Sequence, residues 1–215
     1  MYEAARQKML KTQIVRRGVR DKHVLAAMGE VPREAFVEPG FEDVAYEDRA
    51  LPIAEGQTIS QPYVVALMLA AADLRPADRA LAVGAGSGYA AAVLSRLVAH
   101  VFAIERHPAL TAAAEKRCRA LGYDNISFHT GDGSNGWPDG APFDAVLVAA
   151  GGPEPPQALK QQLAIGGRLI MPVGESGDQR LTRLTRLEDG AFTRDALGEV
   201  RFVPLIGAQG WPDRD

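Results

Sequence analysis

Hydrophobic and polar positions along this chain fall into two alternating rhythms from about residue 60 onward. Apolar runs of strand length lie at Ala80 to Val83, His100 to Ile104, Ile126 to His129, Phe143 to Ala149 and Arg168 to Val173. Between them come stretches with helical spacing, Tyr63 to Ala72, Ala90 to Leu97, Pro108 to Leu121 and Glu154 to Leu163. This alternation predicts an α/β fold: a Rossmann-like, doubly wound, mostly parallel sheet with helices on both faces. The last part of the chain changes character. Arg180 to Leu187, a Glu188-Asp189-Gly190 turn and Val200 to Leu205 predict antiparallel edge strands.

The N-terminal part reads differently. Residues 2–17 have helical spacing, with Ala5, Met9 and Val15 as core positions, and Asp21 is placed to cap a second helix ending near Gly29. From Arg33 to Glu55 the pattern is irregular, and Pro39-Gly40 and Pro52 mark turns. That segment is too polar for core, yet Phe36, Phe41 and Tyr46 must pack on something. A single domain over 1–215 is expected, with 1–60 an N-terminal helical and loop cover and 61–215 the cofactor-binding core.

Composition narrows the function classes. At 215 residues the chain can bury roughly 70% of its unfolded surface in one core. A net charge of −3 and a pI near 5.8 give no general attraction to nucleic acid or anionic membrane. The cations Arg6, Lys8, Lys11, Arg16, Arg17, Arg20 and Lys22 form a local exception, read as a solvated helix face. Cys118 is the single cysteine, a small packed side chain that excludes an intrachain disulfide and a cysteine-based zinc site. Val64 to Ala72, the longest apolar run, is about half of what a bilayer span needs. The start of the chain has no apolar signal core. A cytoplasmic monomer with no metal, nucleic-acid or membrane partner is the expectation.

Candidate chemistry concentrates at Gly84, Gly86 and Gly88, between a strand and a helix. Strand, glycine turn and helix let backbone approach a ligand closely and aim free N–H groups at it. Glu105 ends the next strand 21 residues past Gly84, close to the ~20-residue offset at which such folds place a carboxylate on ribose hydroxyls. Asp132, within Gly131-Asp132-Gly133, ends the strand after that. A dinucleotide loop requires a third glycine where Tyr89 stands, so G-x-G-x-G fits an S-adenosyl-L-methionine site better. Upstream, Ser60 precedes Pro62 at a helix start. Ser60 or Gln61 is a cap for that helix, or Ser60 with its neighbouring N–H groups is an anion holder.

Taken together, the chain resembles the protein-L-isoaspartate O-methyltransferase family over nearly its whole length. The matching blocks include Val31-Pro32-Arg33, Phe36-Val37, Leu51-Pro52-Ile53, Gly56-Gln57-Thr58-Ile59-Ser60-Gln61-Pro62 and Gly84 to Tyr89. Gly131 to Gly133, Gly136-Trp137, Ala141 to Asp144, Gly166 to Leu169, Pro172 to Gly174 and Arg201-Phe202-Val203-Pro204-Leu205 complete them. The resemblance implies methyl transfer from S-adenosyl-L-methionine, leaving S-adenosyl-L-homocysteine, to the α-carboxyl of an isoaspartyl residue in a damaged protein. The ester then collapses to a succinimide that hydrolyses partly to aspartate. It also implies that Ser60 is the active-site hydroxyl and that Gln57 and Thr58 border the cofactor. The loop Gly84, Ala85, Gly86, Ser87 and Gly88 would cradle the cofactor, with Glu105 at the ribose, Arg106 beside it in the cofactor site, and Asp132 and Gly133 flanking the adenine. Ile59, Val203, Pro204 and Leu205 would line the acceptor cleft.

The chemistry agrees with the resemblance. A carboxylate, with a pKa near about 4, is ionised at pH 7 and needs alignment rather than a general base. His23, His100, His107 and His129 form no pattern with an acid and a nucleophile. One position departs from the family: Ala82 stands two residues before Gly84, where such loops normally carry an acid, and Ala85 replaces a more usual polar residue. Losing that acid predicts cofactor binding weaker by roughly 1–3 kcal/mol, unless a water or another acid substitutes. A carboxyl methyltransferase with a different peptide or small-acid acceptor, or a cofactor-binding relic with little turnover, are the alternative readings.

Overall fold

A computed structural model describes residues 2–175 and 177–213 of the chain. Seven strands form one sheet, in the order β5-β4-β3-β6-β7-β8-β9. They are β3 (Arg79–Val83), β4 (His100–Glu105), β5 (Ile126–Thr130), β6 (Phe143–Val148), β7 (Leu163–Glu175), β8 (Asp178–Arg186) and β9 (Phe192–Val200). Neighbours among β3 to β7 run parallel, and β8 and β9 add an antiparallel edge. A two-stranded hairpin, β1 (Leu51–Pro52) with β2 (Thr58–Ile59), lies apart from this sheet. The mostly parallel sheet with an antiparallel edge is therefore as the sequence predicts. Its second edge strand is not: β8 pairs with Phe192–Val200 rather than with Val200 to Leu205.

Side chains alternate across the sheet and create two cores. On one face, Ala80, Ala82, Val101, Ala103, Ala145 and Leu147 pack under α3 (Pro62–Ala71), α4 (Tyr89–Ser95) and the N-terminal elements. The alanines on β3, β4 and β6 let helices sit close to the sheet. On the other face, Leu81, Val83, Ile104, Phe143, Val146 and Met171 pack with Leu159 of α6 (Gln157–Gln161). That helix is shorter than Glu154 to Leu163. Pro155 and Pro156 precede its first turn, and Leu163 already belongs to β7.

The N-terminal segment begins with α1 (Glu3–Met9), continues through a π turn (Leu10–Ile14) and a 3₁₀ turn (Val15–Arg17), and stops at Gly18 with φ 98°. The wider turn rotates the face that follows, so Leu10 and Ile14 are buried where Val15 was expected. Asp21 caps α2 (Lys22–Glu30) by accepting the His23 and Val24 N–H groups at 2.9 and 3.0 Å. The 33–55 segment is less polar in practice than its composition suggests. Arg33, Phe36, Val37, Ala45, Tyr46, Leu51 and Ile53 are all buried, most of them in the same core as the sheet. No helix among the described residues is long and apolar enough to cross a membrane.

Candidate active site

The chain leaves β3 between two parallel neighbours. The Val83 carbonyl accepts the Ala149 N–H at 2.8 Å, and the Gly84 N–H donates to Ile104 at 2.9 Å. Strand order reverses here, since β4 and β6 flank β3, and a crevice opens beyond the strand ends. Gly84, Gly86 and Gly88 turn the chain with φ of 81°, 52° and 90°, a region that side-chain-bearing residues avoid.

Glu105 holds this loop. Its Oε2 accepts the Gly86 N–H at 2.9 Å and its Oε1 the His107 N–H at 3.1 Å, while the side chain stays buried. A carboxylate has about four acceptor sites, so two remain for hydroxyl groups in the cavity. Along β4 the side chain of Glu105 falls on the sheet face shared by Ala82 and Ala103. The acid absent at Ala82 thus has a counterpart one strand away.

Gly88 faces the other way. A Cβ there would lie 3.2 Å from both Ala114 and Cys118 on α5 (Pro108–Ala120), so the glycine sets loop-to-helix packing and does not line the cavity. Burial pushes the Cys118 thiol up to about 12, outweighing the pull of Arg117 in the other direction, which fits its expected packing role.

The Ser60 turn is held from outside. The β1–β2 hairpin delivers Gln57 to Ser60 to the rim, and α3 begins at Pro62 with Gln61 at its cap position making no capping bond. Asp48 of the cover caps α3 instead, accepting the Tyr63 N–H at 3.2 Å, while its carbonyl accepts Gln61 Nε2 at 3.0 Å. Capping by Ser60 or Gln61 is therefore corrected. A carboxylate from 15 residues upstream takes that place, and among the described residues the Ser60 hydroxyl has no hydrogen-bond partner.

Residues 200–211 form a strap across the ends of β6 and β8. Gly151 donates to the Val203 carbonyl at 2.8 Å, and Leu205 donates back to Gly151 at 2.8 Å. The buried Gln179 side chain of β8 grips the backbone of Phe202 at both its N–H (2.7 Å) and its carbonyl (3.3 Å). Asp132 pins the far end. It accepts from Ser134 N (2.9 Å), Ser134 Oγ (2.7 Å), Asn135 Nδ2 (3.0 Å) and Ala208 N (2.8 Å). Burial acts to raise its pKa, but the bonds from Ala208 and Ser134 prevail and hold it below the usual carboxylate value. With these acceptor sites filled, Asp132 does not line the cavity. Of the Asp132-Gly133 pair expected at the adenine, only Gly133 lines the cavity.

One cavity of about 710 Å³ connects these parts, within the range of ~300–1,000 Å³ found for small-molecule sites. Gln57, Thr58, Ile59 and Ser60 line it together with Gly84, Ala85, Gly86, Ser87, Glu105, Arg106 and Gly133. Val203, Pro204 and Leu205 form its far wall. Of the residues expected to bind cofactor or acceptor, only Gly88 and Asp132 lie outside. The sequence reading missed Asp48, Tyr63, His107 and the stretch Leu197 to Arg201, which also line the cavity. His107 sits 3.7 Å from Glu55 at the rim, and its position after Glu105 was the one available clue.

A parallel sheet with a glycine loop at its switch point and an acid ending the next strand defines a Rossmann-like nucleotide-cofactor fold, and Tyr89 in place of a third glycine sets it apart from the dinucleotide class and fits a methyltransferase. Two solved structures share the whole architecture. One, described as a protein-L-isoaspartate O-methyltransferase, superimposes with a TM-score of 0.86 at 31% identity, covering 95% of this chain and 67% of that one. The other is a Plasmodium falciparum protein described as a putative protein-L-isoaspartate O-methyltransferase in complex with S-adenosyl-L-homocysteine. Its TM-score is 0.81 at 28% identity, covering 94% of this chain and 98% of that one. The family model for protein-L-isoaspartate(D-aspartate) O-methyltransferase matches residues 4–210. A protein-L-isoaspartate O-methyltransferase of Rhodopseudomonas palustris is 55% identical over 94% of each chain. One from Brucella anthropi is 52% identical over 99% of this chain and 98% of its own. The chain belongs to the protein-L-isoaspartate O-methyltransferase family.

Proposed function

We infer that the cavity joins two half-sites for a single reaction, methylation of the α-carboxyl of isoaspartyl residues in proteins by S-adenosyl-L-methionine. The glycine loop, Glu105 and Gly133 make the cofactor half; Ser60, Ile59 and the Val203 to Leu205 wall make the acceptor half. The residues suit the cofactor: Glu105 is a buried carboxylate with acceptor sites left for ribose hydroxyls, beside a loop whose glycines leave room for close approach. When bound, S-adenosyl-L-methionine supplies a methyl group on a positively charged sulfur.

Every other task falls to the chain. Ser60 donates its hydroxyl to one oxygen of the acceptor carboxylate and leaves the other to attack. That oxygen is already ionised at neutral pH, so the chain has no proton to remove from it. The apolar wall of Val203, Pro204 and Leu205 keeps water from the attacking oxygen, which sharpens its reactivity. The observation that carries this reading is the unengaged hydroxyl of Ser60 in the same cavity as Glu105. Ser60→Ala tests it. A lost hydrogen bond to a charged group is worth ~1.5–3 kcal/mol, so kcat/KM for an isoaspartyl peptide falls about 10- to 150-fold. S-adenosyl-L-homocysteine affinity and Tm stay at wild-type values, because this hydroxyl caps nothing. An unchanged kcat/KM would remove Ser60 from the mechanism.

A further inference from the structure

Arg33 lies in the N-terminal cover with none of its surface exposed. Its Nε donates to the Ala45 carbonyl at 2.6 Å and its Nη2 to the Ser60 carbonyl at 2.9 Å. The guanidinium stacks over the ring of Tyr89, 4.8 Å from the centroid. Nη1 and the Tyr89 hydroxyl are both buried and have no partner at full hydrogen-bond geometry beyond a weak interaction between the Arg33 and Tyr89 side chains. No carboxylate lies within ion-pair distance of Arg33 among the described residues. Asp48, the acid whose charge acts on Arg33, is engaged by Arg17 at 2.6 Å and by the Tyr63 N–H, and the adjacent Glu34 is taken by Arg6 and Tyr46.

Such an arrangement is costly as mere structure. Desolvation opposes a buried charge, and a well-packed apolar side chain fills similar volume at less cost. Consistent with this, burial drives the pKa of Arg33 below its ordinary value despite the opposing pull of Tyr89, Tyr46 and Asp48. What the guanidinium touches explains its presence. Ser60 bounds the acceptor half of the cavity, and Tyr89 opens α4 directly after the glycine loop and lines the same cavity. Arg33 thus sits behind the wall that both half-sites share, and its charge reaches the cavity through Ser60.

We propose that Arg33 is a positioning and specificity-determining residue of the acceptor site, fixing Ser60 by its carbonyl and keeping an unneutralised positive charge behind it. This rests on the reading of Ser60 as the acceptor-side hydroxyl. The charge favours an ionised carboxylate over an isosteric neutral amide. Once the carboxylate has become an ester, the attraction is gone and product leaves. A lysine cannot replace the fork, because its single ammonium does not span the Ala45 and Ser60 carbonyls with the same geometry.

The test uses the full chain saturated with S-adenosyl-L-homocysteine and two peptides that differ only in an isoaspartyl α-carboxylate or α-carboxamide. Calorimetry should show the wild type binding the carboxylate at least about tenfold more tightly, as for a charge-assisted contact. Arg33→Gln should bring the two affinities together while leaving S-adenosyl-L-homocysteine binding unchanged. Arg33→Lys should keep the carboxylate preference but lower kcat on the isoaspartyl peptide at least about tenfold. A wild-type preference persisting in R33Q, or a wild-type kcat in R33K, overturns the proposal. Where circular dichroism shows R33Q unfolded, the R33K kcat decides. A wild-type enzyme that fails to methylate the isoaspartyl peptide refutes the reading of the reaction itself, whereas methylation without carboxylate preference refutes only the role of Arg33.

Discussion

Glu105 Oε2 accepts the N–H of Gly86 at 2.9 Å, tying the acid at the end of β4 to the loop that leaves β3. This contact bears on Ala82, where the sequence lacks the acid that usually precedes such a loop. The loop N–H has a partner already, and Ala82 sits in an alanine-rich layer under α4. Glu105→Gln should therefore raise the Kd for S-adenosyl-L-homocysteine by at least about tenfold, given ~1.5–3 kcal/mol for a hydrogen bond to a charged group. Ala82→Asp should change it by less than about threefold, well under one such bond. Calorimetric titration of both variants checks the pair. A large gain in A82D with little loss in E105Q would reverse this assignment.

How much of this was legible beforehand depends on sequence distance. The glycine loop, Glu105 and the Gln57 to Ser60 block are local patterns, and their elements appear where the spacing places them. Asp48 capping α3 and Gln179 gripping Phe202 are contacts between distant segments, with no periodic signal at either end. Arg33 carries a charge, so composition places it in water; only the packing of the cover against α4 buries it. The misplaced edge strand has a similar cause. Phe192 to Val200 is polar and mostly exposed at the sheet edge, so it lacks the alternation of a half-buried strand. Val200 to Leu205 looks like a strand because its apolar residues serve the cavity wall and core instead.

The contact of Gly88 with α5 predicts a stability effect separate from catalysis. Gly88→Ala adds a methyl 3.2 Å from Ala114 and Cys118 at φ 90°. Overpacking and backbone strain together should cost about 1–3 kcal/mol, read as a lower urea midpoint. Cys118→Ala in the same chain should restore part of that loss, because one of the two crowding atoms is gone. No loss in G88A would mean that the loop relaxes freely. The buried Cys118 thiol, pushed up to about 12, should also resist a thiol reagent at neutral pH until the protein is unfolded.

Asp132 predicts a pH dependence with a definite sign. Its folded pKa lies below its unfolded value because Ala208 and Ser134 donate to the ionised form. The stability it contributes is present above the unfolded value, about 3.9, and is lost as the pH falls through the lower folded value. Urea unfolding of the wild type beside Asp132→Asn should show a gap at neutral pH that closes in acid. A gap independent of pH would show that the charge of Asp132 does not hold the strap.

The most direct test of the central claim is base-labile methyl incorporation from labelled S-adenosyl-L-methionine into an isoaspartyl peptide and its aspartyl twin. The two acceptors share composition and charge and differ in which carboxylate joins the backbone. Labelling confined to the isoaspartyl peptide, and slowed about 10- to 150-fold by Ser60→Ala, is the predicted result. Equal labelling of both peptides, or labelling that survives in S60A at the wild-type rate, would contradict it.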